Sequence, residues 1–350
     1  STLSSSSAAS DVYKRQAINI GDTKYTAVDG TVELKKAIVE KFKRENNLNY
    51  KTEEITVGAG GKHVIYNLMM ATLNKGDEVL IPAPYWVSYP DIVLLAGANP
   101  IVIECSEEQN FKLTAKDLEN NITNNTKWII LNSPSNPTGA CYSEKDIKEI
   151  GKILEKHPHV FILSDVIYEH VMYGNFKFFT IAQIDNLKDR VLTMNGVSKA
   201  YSMTGWRLGW SYWPKEMIPH VNKLLINSVS CVNAAAQFAG IAALDGPDDS
   251  IKDMLDKFTL RRNLIHKGLN DLPGIECSLP GGAFYAFPKV IGTGMNGSEF
   301  CKKAMHEAGV AIVPGTAFGK TCQDYVRFSF AASRDNIQQA LENIGKMLSK

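Results

Sequence analysis

This 350-residue sequence predicts an α/β fold with a mainly parallel central sheet and helices on both faces. Two observations lead there. Apolar, β-branched runs of strand length occur at 79–82, 100–104, 128–132, 160–164 and 191–194. Continuous apolar strands of this kind belong to sheets buried on both faces. Between them lie segments with helical spacing, such as Ile65, Leu68, Met69 and Leu73 at i, i+3, i+4 and i+8, so strand and helix alternate along the chain.

After Asp245-Gly-Pro247 a charged helical stretch runs through Arg261 and Arg262 to Asn270. The pattern then changes to Gly281-Gly-Ala-Phe-Tyr-Ala-Phe287 and apolar runs at 310–314 and 325–330, with helices between. This reads as a smaller α+β domain closing over the first. The expected division is a large domain over 17–262 and a small C-terminal domain over 263–350. Residues 1–16 stand apart. Six of the first ten are serine, and Asp11-Val-Tyr-Lys-Arg-Gln16 shows no periodicity. A non-native or disordered head is expected there; it lacks the apolar core of a secretory leader. The Ala-rich run 232–244, broken by Asn233 and Gln237, reads as a buried helix and not a membrane span.

Hydrophobic residues make up 44% and charged residues 21%, the balance of an ordinary globular chain. Thirty-eight Lys and Arg against thirty-seven Asp and Glu leave a net charge of +1 with no basic stripe. That argues against a nucleic-acid partner but leaves small anionic ligands open. The six cysteines are scattered without a CxxC pair, which fits a reducing cytoplasm and disfavours a zinc site or disulfide framework. The histidines form no ligand cluster, and no metal is expected. The glycosylation-type triplets at Asn121, Asn124 and Asn296 mean little in a cytoplasmic chain.

Functional information gathers just past the strands, where open α/β sheets bind ligands. These positions read Pro-Ala-Pro-Tyr-Trp86, Asn-Ser-Pro-Ser-Asn136-Pro-Thr-Gly139, Asp165-Val-Ile-Tyr168 and Asn-Gly-Val-Ser-Lys199. An aromatic ring, an amide, a carboxylate with a phenol, and an amine are therefore set to converge. Gly60-Gly61-Lys62 precedes a periodic helix, where bare N–H groups suit a phosphate, although no P-loop pattern is present.

Seven segments in unbroken order resemble the class I aminotransferases of pyridoxal 5′-phosphate (PLP) fold type I, most closely bacterial aspartate aminotransferases. They are Lys24-Tyr-Thr-Ala-Val-Asp-Gly30, Gly60-Gly-Lys62, Pro84-Tyr-Trp-Val-Ser-Tyr89, Asn132-Ser-Pro-Ser-Asn-Pro-Thr-Gly139, Ser164-Asp-Val-Ile-Tyr-Glu-His170, Ser198-Lys-Ala-Tyr-Ser-Met-Thr-Gly-Trp-Arg-Leu-Gly209 and Tyr325-Val-Arg-Phe-Ser329. The resemblance implies that Lys199 forms the Schiff base with PLP and moves the substrate proton in a ping-pong transamination. It implies that Asp165 faces the pyridine nitrogen, that Tyr168 and Asn136 share the ring oxygen, and that Trp86 stacks on the ring. Gly60, Gly61 and Arg207 are expected at the phosphate. Tyr25 is expected to reach the site of a neighbouring subunit, so a homodimer is implied. Arg327 is the expected two-pronged clamp for the substrate carboxylate.

In this branch a lysine at the position of Lys62 accompanies binding of a distal carboxylate. Aspartate or glutamate with 2-oxoglutarate or oxaloacetate are thus the expected substrates. Alternatives are a cysteine-conjugate β-lyase on the same fold, a prephenate or aromatic aminotransferase, and a PLP-binding regulator. The last would need an attached DNA-binding or interaction domain, and no such segment is evident. Two departures stand out: Val166 occupies a position usually acidic in relatives, where it is expected to alter packing rather than chemistry, and Ser230-Cys-Val-Asn233 replaces a Ser/Thr-rich run near the pocket, which bears on substrate preference. Relatives also carry several dozen further N-terminal residues, so the sequence is expected to be truncated at its front.

Overall fold

Residues 8–349 are described by the computed structural model. The central sheet has seven strands: β1 (Ile55–Gly58), β2 (Glu78–Ala83), β3 (Asn99–Glu104), β4 (Thr126–Asn132), β5 (Phe161–Asp165), β6 (Val191–Gly196) and β7 (Gly209–Tyr212). Their spatial order is β1-β7-β6-β5-β4-β2-β3. The run from β3 to β6 is parallel throughout. Only β7 opposes its neighbours, pairing antiparallel with β6 and β1. The five strands expected from the sequence are all present, whereas β1 and β7 were not expected. Each has four residues, too few to show a period, and Gly58 faces Gly209 in their register.

Alternate residues of the parallel strands feed two separate cores, as a period of two requires. Leu80, Ile129, Leu131 and Ile162 pack with Ile38 and Phe42 of α2 (Val32–Asn46), and with Ile150 and Leu154 of α6 (Glu144–Lys156). Val79, Ile81, Ile130 and Leu163 pack on the opposite face. There they meet Ile65, Leu68 and Met69 of α3 (Gly61–Thr72), Val93 of α4 (Ser88–Leu95) and Leu225 of α7 (Ile218–Ser228). A shorter helix, α5 (Ala115–Asn121), leads into β4. From β2 the chain steps outward to β3, then returns to place β4 on the other side of β2 and continues to β5 and β6. Loops leaving β2 and β4 diverge at this reversal, which opens a crevice at the carboxyl ends of the strands.

The small domain is built from α9 (Asp249–Asn270), β8 (Tyr285–Ala286), α10 (Gly297–Lys303), β9 (Val313–Pro314), β10 (Val326–Ser329) and α11 (Arg334–Leu348). Its three strands form an antiparallel sheet in the order β8-β10-β9. Phe258, Leu269, Phe300, Val326 and Ile344 make its core, and Tyr168, Val171 and Tyr173 from beyond β5 enter the same core. The boundary expected at 262/263 falls inside α9, a single helix. Ile251 near its start belongs to the large-domain core and Phe258 already belongs to the small one. The change of core therefore precedes residue 258, and a helix shared by two cores leaves no breaker in the sequence to mark it.

Residues 8–16 of the head, expected to be non-native or disordered, lie in a helix. Helix α1 (Ala8–Asn19) packs along α8 (Ala234–Asp245), with Ala17 buried and the Lys14 ammonium 4.0 Å from the Trp206 ring centre. One small residue and a cation–π contact leave no apolar stripe to read. The rest of that head, residues 1–7, lies outside the described residues.

Candidate active site

A cavity of about 540 Å³ opens at the carboxyl ends of β2, β4, β5 and β6, under the small-domain strands. Its wall includes Gly61, Lys62, Trp86, Asn136, Asp165, Tyr168, Lys199, Arg207 and Arg327, which are nine of the eleven expected site residues. The tenth, Gly60, lies directly behind Arg207. The eleventh, Tyr25, is 88% exposed and outside the cavity wall of its own chain.

Asp165 ends β5, so its side chain leaves the sheet at the floor of the cavity. It is buried; Oδ2 accepts from the Tyr89 hydroxyl at 2.6 Å and Oδ1 from the Ile167 amide at 3.2 Å. Burial pushes its carboxyl up from 3.8 to about 6, while the two donors and the Lys199 cation pull the other way. Lys199 follows β6, with its ammonium 5.5 Å from the Phe284 ring centre and 5.8 Å from that of Tyr168. Burial lowers its pKa from the usual lysine range, helped by the Arg207 and Arg327 cations and opposed by Asp165. A larger share of the amine is thus neutral and nucleophilic near pH 7.

Arg327 projects from β10, its guanidinium between the rings of Tyr285 and Phe318 at 4.6 and 4.9 Å. Nη1 donates to Asn136 Oδ1 at 2.9 Å, and the Asn136 amide is held by Asn132 Oδ1 at 3.0 Å. The Arg327 Nε is buried and has no partner among the described residues. An unpaired buried donor costs on the order of 1–3 kcal/mol, so the chain leaves one polar group of this guanidinium unsatisfied at the cavity wall.

Helix α3 begins against the same space. Gly60 caps it at φ 85°, and a Cβ there would lie 2.4 Å from Arg207 Nη2. Only glycine lets the guanidinium lie against the helix start. Arg207 is fixed there by Nη1 donating to the Thr204 carbonyl at 2.9 Å and Nη2 to the Ala59 carbonyl at 3.4 Å. First-turn amides without helical acceptors plus a fixed cation make an anion cradle. Lys62, one residue on, carries its ammonium 5.0 Å from the Trp86 ring centre.

Several wall residues were not expected from the sequence. Tyr89 holds Asp165, and Tyr285 places its hydroxyl 3.0 Å from that of Tyr168. Both sit in segments already singled out, but hydroxyl partners distant in sequence leave no local signal. Behind the cavity Glu169 accepts from Lys41, Asn46 and Asn195, all buried, which ties α2, the segment after β5 and the end of β6 together. The buried Lys41–Glu169 pair is well surrounded by amides, the condition under which such a pair is tolerated.

The fold is that of the PLP fold type I enzymes. A family model described as aminotransferase class I and II matches residues 6–344. The aspartate aminotransferase of Rhizobium meliloti is 47% identical over 339 residues, spanning 94% of this chain and 82% of the relative. A probable aspartate/prephenate aminotransferase of Rickettsia felis is 48% identical over 336 residues, or 93% of this chain and 82% of the relative. The crystal structure of the Rhizobium meliloti aspartate aminotransferase superposes with a TM-score of 0.96 at 44% identity, covering 99% of this chain and 89% of that one. The chain belongs to the class I and II aminotransferases and is a PLP-dependent enzyme. The cavity fits that cofactor: the Gly60 cradle with Arg207 has the charge and clearance for a phosphate, and a buried carboxylate lies on the floor beside a lysine amine.

Proposed function

We propose that the enzyme moves the amino group of L-aspartate or L-glutamate to 2-oxoglutarate or oxaloacetate. The observation that carries this reading is the Arg327 guanidinium, which lines the same cavity as Lys199, Asp165 and Lys62 and forms no ion pair among the described residues. PLP, when bound, supplies an electrophilic carbon for the amino group and a ring that withdraws electrons from the substrate Cα. The chain does the rest. The Gly61 and Lys62 amides and Arg207 would hold the phosphate, and the indole of Trp86 would cover the ring. Asp165 would keep a proton on the ring nitrogen, and Asn136 and Tyr168 would hold the ring oxygen. Arg327 binds the α-carboxylate through Nε and Nη2, leaving Nη1 on Asn136. Lys199 Nζ would take the proton from the substrate Cα and return it to the cofactor carbon that bears the transferred nitrogen.

Lys62 sets the preference for dicarboxylic substrates in this reading. It forms no ion pair among the described residues and borders the cavity, so a distal carboxylate is its natural partner. Lys62→Ala is expected to lower kcat/KM for aspartate by about 10- to 100-fold, the worth of one charge-assisted contact. Alanine, which has no distal carboxylate, is expected to change less than about threefold, since it cannot use that contact. Equal losses with both amino acids would remove Lys62 from substrate recognition. The name of the Rickettsia felis relative favours a second reading, prephenate as amino acceptor. Prephenate also carries two carboxylates, so Lys62 would serve it, and assays with both acceptors separate the two. The exposed Tyr25, outside its own cavity, supports a homodimer in which it reaches the other copy's cofactor phosphate.

A further inference from the structure

Tyr285 touches both halves of this site and has no role in the scheme above. It is 7% exposed on β8, where it faces Ser329 across the small-domain sheet. Its hydroxyl lies 3.0 Å from that of Tyr168, and its ring face lies 4.6 Å from the Arg327 guanidinium carbon. Each phenol carries one hydrogen, so only one of the two can donate across this contact. Tyr285 is the sole hydrogen-bond partner of the Tyr168 hydroxyl among the described residues, and the converse also holds.

We propose that Tyr285 is a positioning residue that couples the carboxylate clamp to the cofactor: its hydroxyl donates to Tyr168 Oη, and its ring supports Arg327. This rests on the reading in which Tyr168 donates to the ring oxygen of bound PLP. With PLP bound, an anionic ring oxygen would be a stronger acceptor than a phenol, so the single Tyr168 hydrogen would turn toward it. The phenol oxygen is then left to accept from Tyr285. Two donors in series polarise each other and strengthen the contact to the ring oxygen. The charged groups around the phenol pair are Asp165 from β5, Lys199 from the segment after β6 and Arg327 from β10. The pair is thus wired between an acid, an amine and a guanidinium. The same ring, together with that of Phe318, packs on Arg327, so substrate binding and cofactor tuning share one side chain.

The test uses the PLP-loaded enzyme with Tyr285→Phe, Tyr285→Leu, Tyr168→Phe and the Tyr285→Phe/Tyr168→Phe pair. The readouts are the pH titration of the cofactor absorption band and the separate kcat and KM for L-aspartate. Tyr285→Phe is expected to raise the pKa of the band by about half a unit to one unit, the worth of one neutral hydrogen bond. Its KM should stay within about twofold, because the ring remains under Arg327. Tyr285→Leu is expected to give the same pKa change together with a KM at least about tenfold higher, from the lost cation–π support. In the Tyr168→Phe background, Tyr285→Phe should move the band no further. A Tyr285→Phe band that titrates as the parent does, or a shift that survives in the Tyr168→Phe background, overturns the coupling. A Tyr168→Phe band that titrates as the parent does sinks the reading of Tyr168 itself, and the coupling with it.

Discussion

Lys199→Ala is expected to lose the absorption band of the covalently held cofactor and to slow amino transfer by at least about 10⁴-fold, the upper range for loss of a general acid–base group. The loss of covalent capture adds to it. The reason is positional. Lys199 is the cavity amine whose pKa is driven down by burial and by the neighbouring Arg207 and Arg327 cations. Lys62 borders the same space but sits at the helix start over Trp86. Lys199→Arg separates charge from nucleophilicity, because a guanidinium stays protonated and cannot attack. It is expected to be as inactive as the alanine variant. Absorption spectra and stopped-flow rates of the purified variants check both, and a retained covalent band in Lys199→Ala would assign the linkage to another amine.

Asp165→Asn is expected to act in opposite directions on activity and on stability. In the proposed reading Asp165 would hold the proton on the cofactor ring nitrogen, so transamination should fall by about 10²- to 10⁴-fold without its charge. Stability follows from the sign of the pKa change. The carboxyl is raised from 3.8 to about 6, chiefly by burial. Its contribution is therefore fully present below about pH 4 and is lost as pH rises through about 6. Above that, the cofactor-free protein carries a buried carboxylate whose charge disfavours folding by on the order of 3 kcal/mol. The asparagine keeps an acceptor for the Ile167 amide and an amide hydrogen for the Tyr89 oxygen, but no charge. In the cofactor-free protein its melting temperature, relative to the parent, should rise between pH 4.5 and pH 7.5. Melting curves at both pH values provide the check, and a gap that shrinks toward pH 7.5 contradicts the assignment.

Much of this site was legible because the chemistry sits at strand ends. Asp165, Asn136 and Lys199 each follow an apolar run whose burial fixes where the side chain emerges. The parallel strands β2, β4, β5 and β6 were readable for the same reason, since both their faces are largely buried, and the edge strand β3 by its β-branched run. Strands β1 and β7 escaped because four residues with glycines at one end carry no pattern. A division within α9 left no mark in the sequence, because one helix serves two cores. Tyr89 and Tyr285 were invisible as site residues for a different reason. Their partners lie 76 and 117 residues away, and a hydrogen bond between distant hydroxyls leaves no mark in the spacing of either segment. The Lys41–Glu169 pair, 128 residues apart, escaped in the same way.

The most direct test of the central claim is a half-reaction: PLP-loaded enzyme mixed with L-aspartate and no acceptor, followed by absorption and by assay of released oxo acid. The expected result is conversion of the cofactor to its amine form with one oxaloacetate released per site, reversed by 2-oxoglutarate with formation of glutamate. An unchanged cofactor spectrum with aspartate, alongside release of pyruvate and ammonia from cysteine-type substrates, would contradict transamination at Lys199 and make the enzyme a lyase.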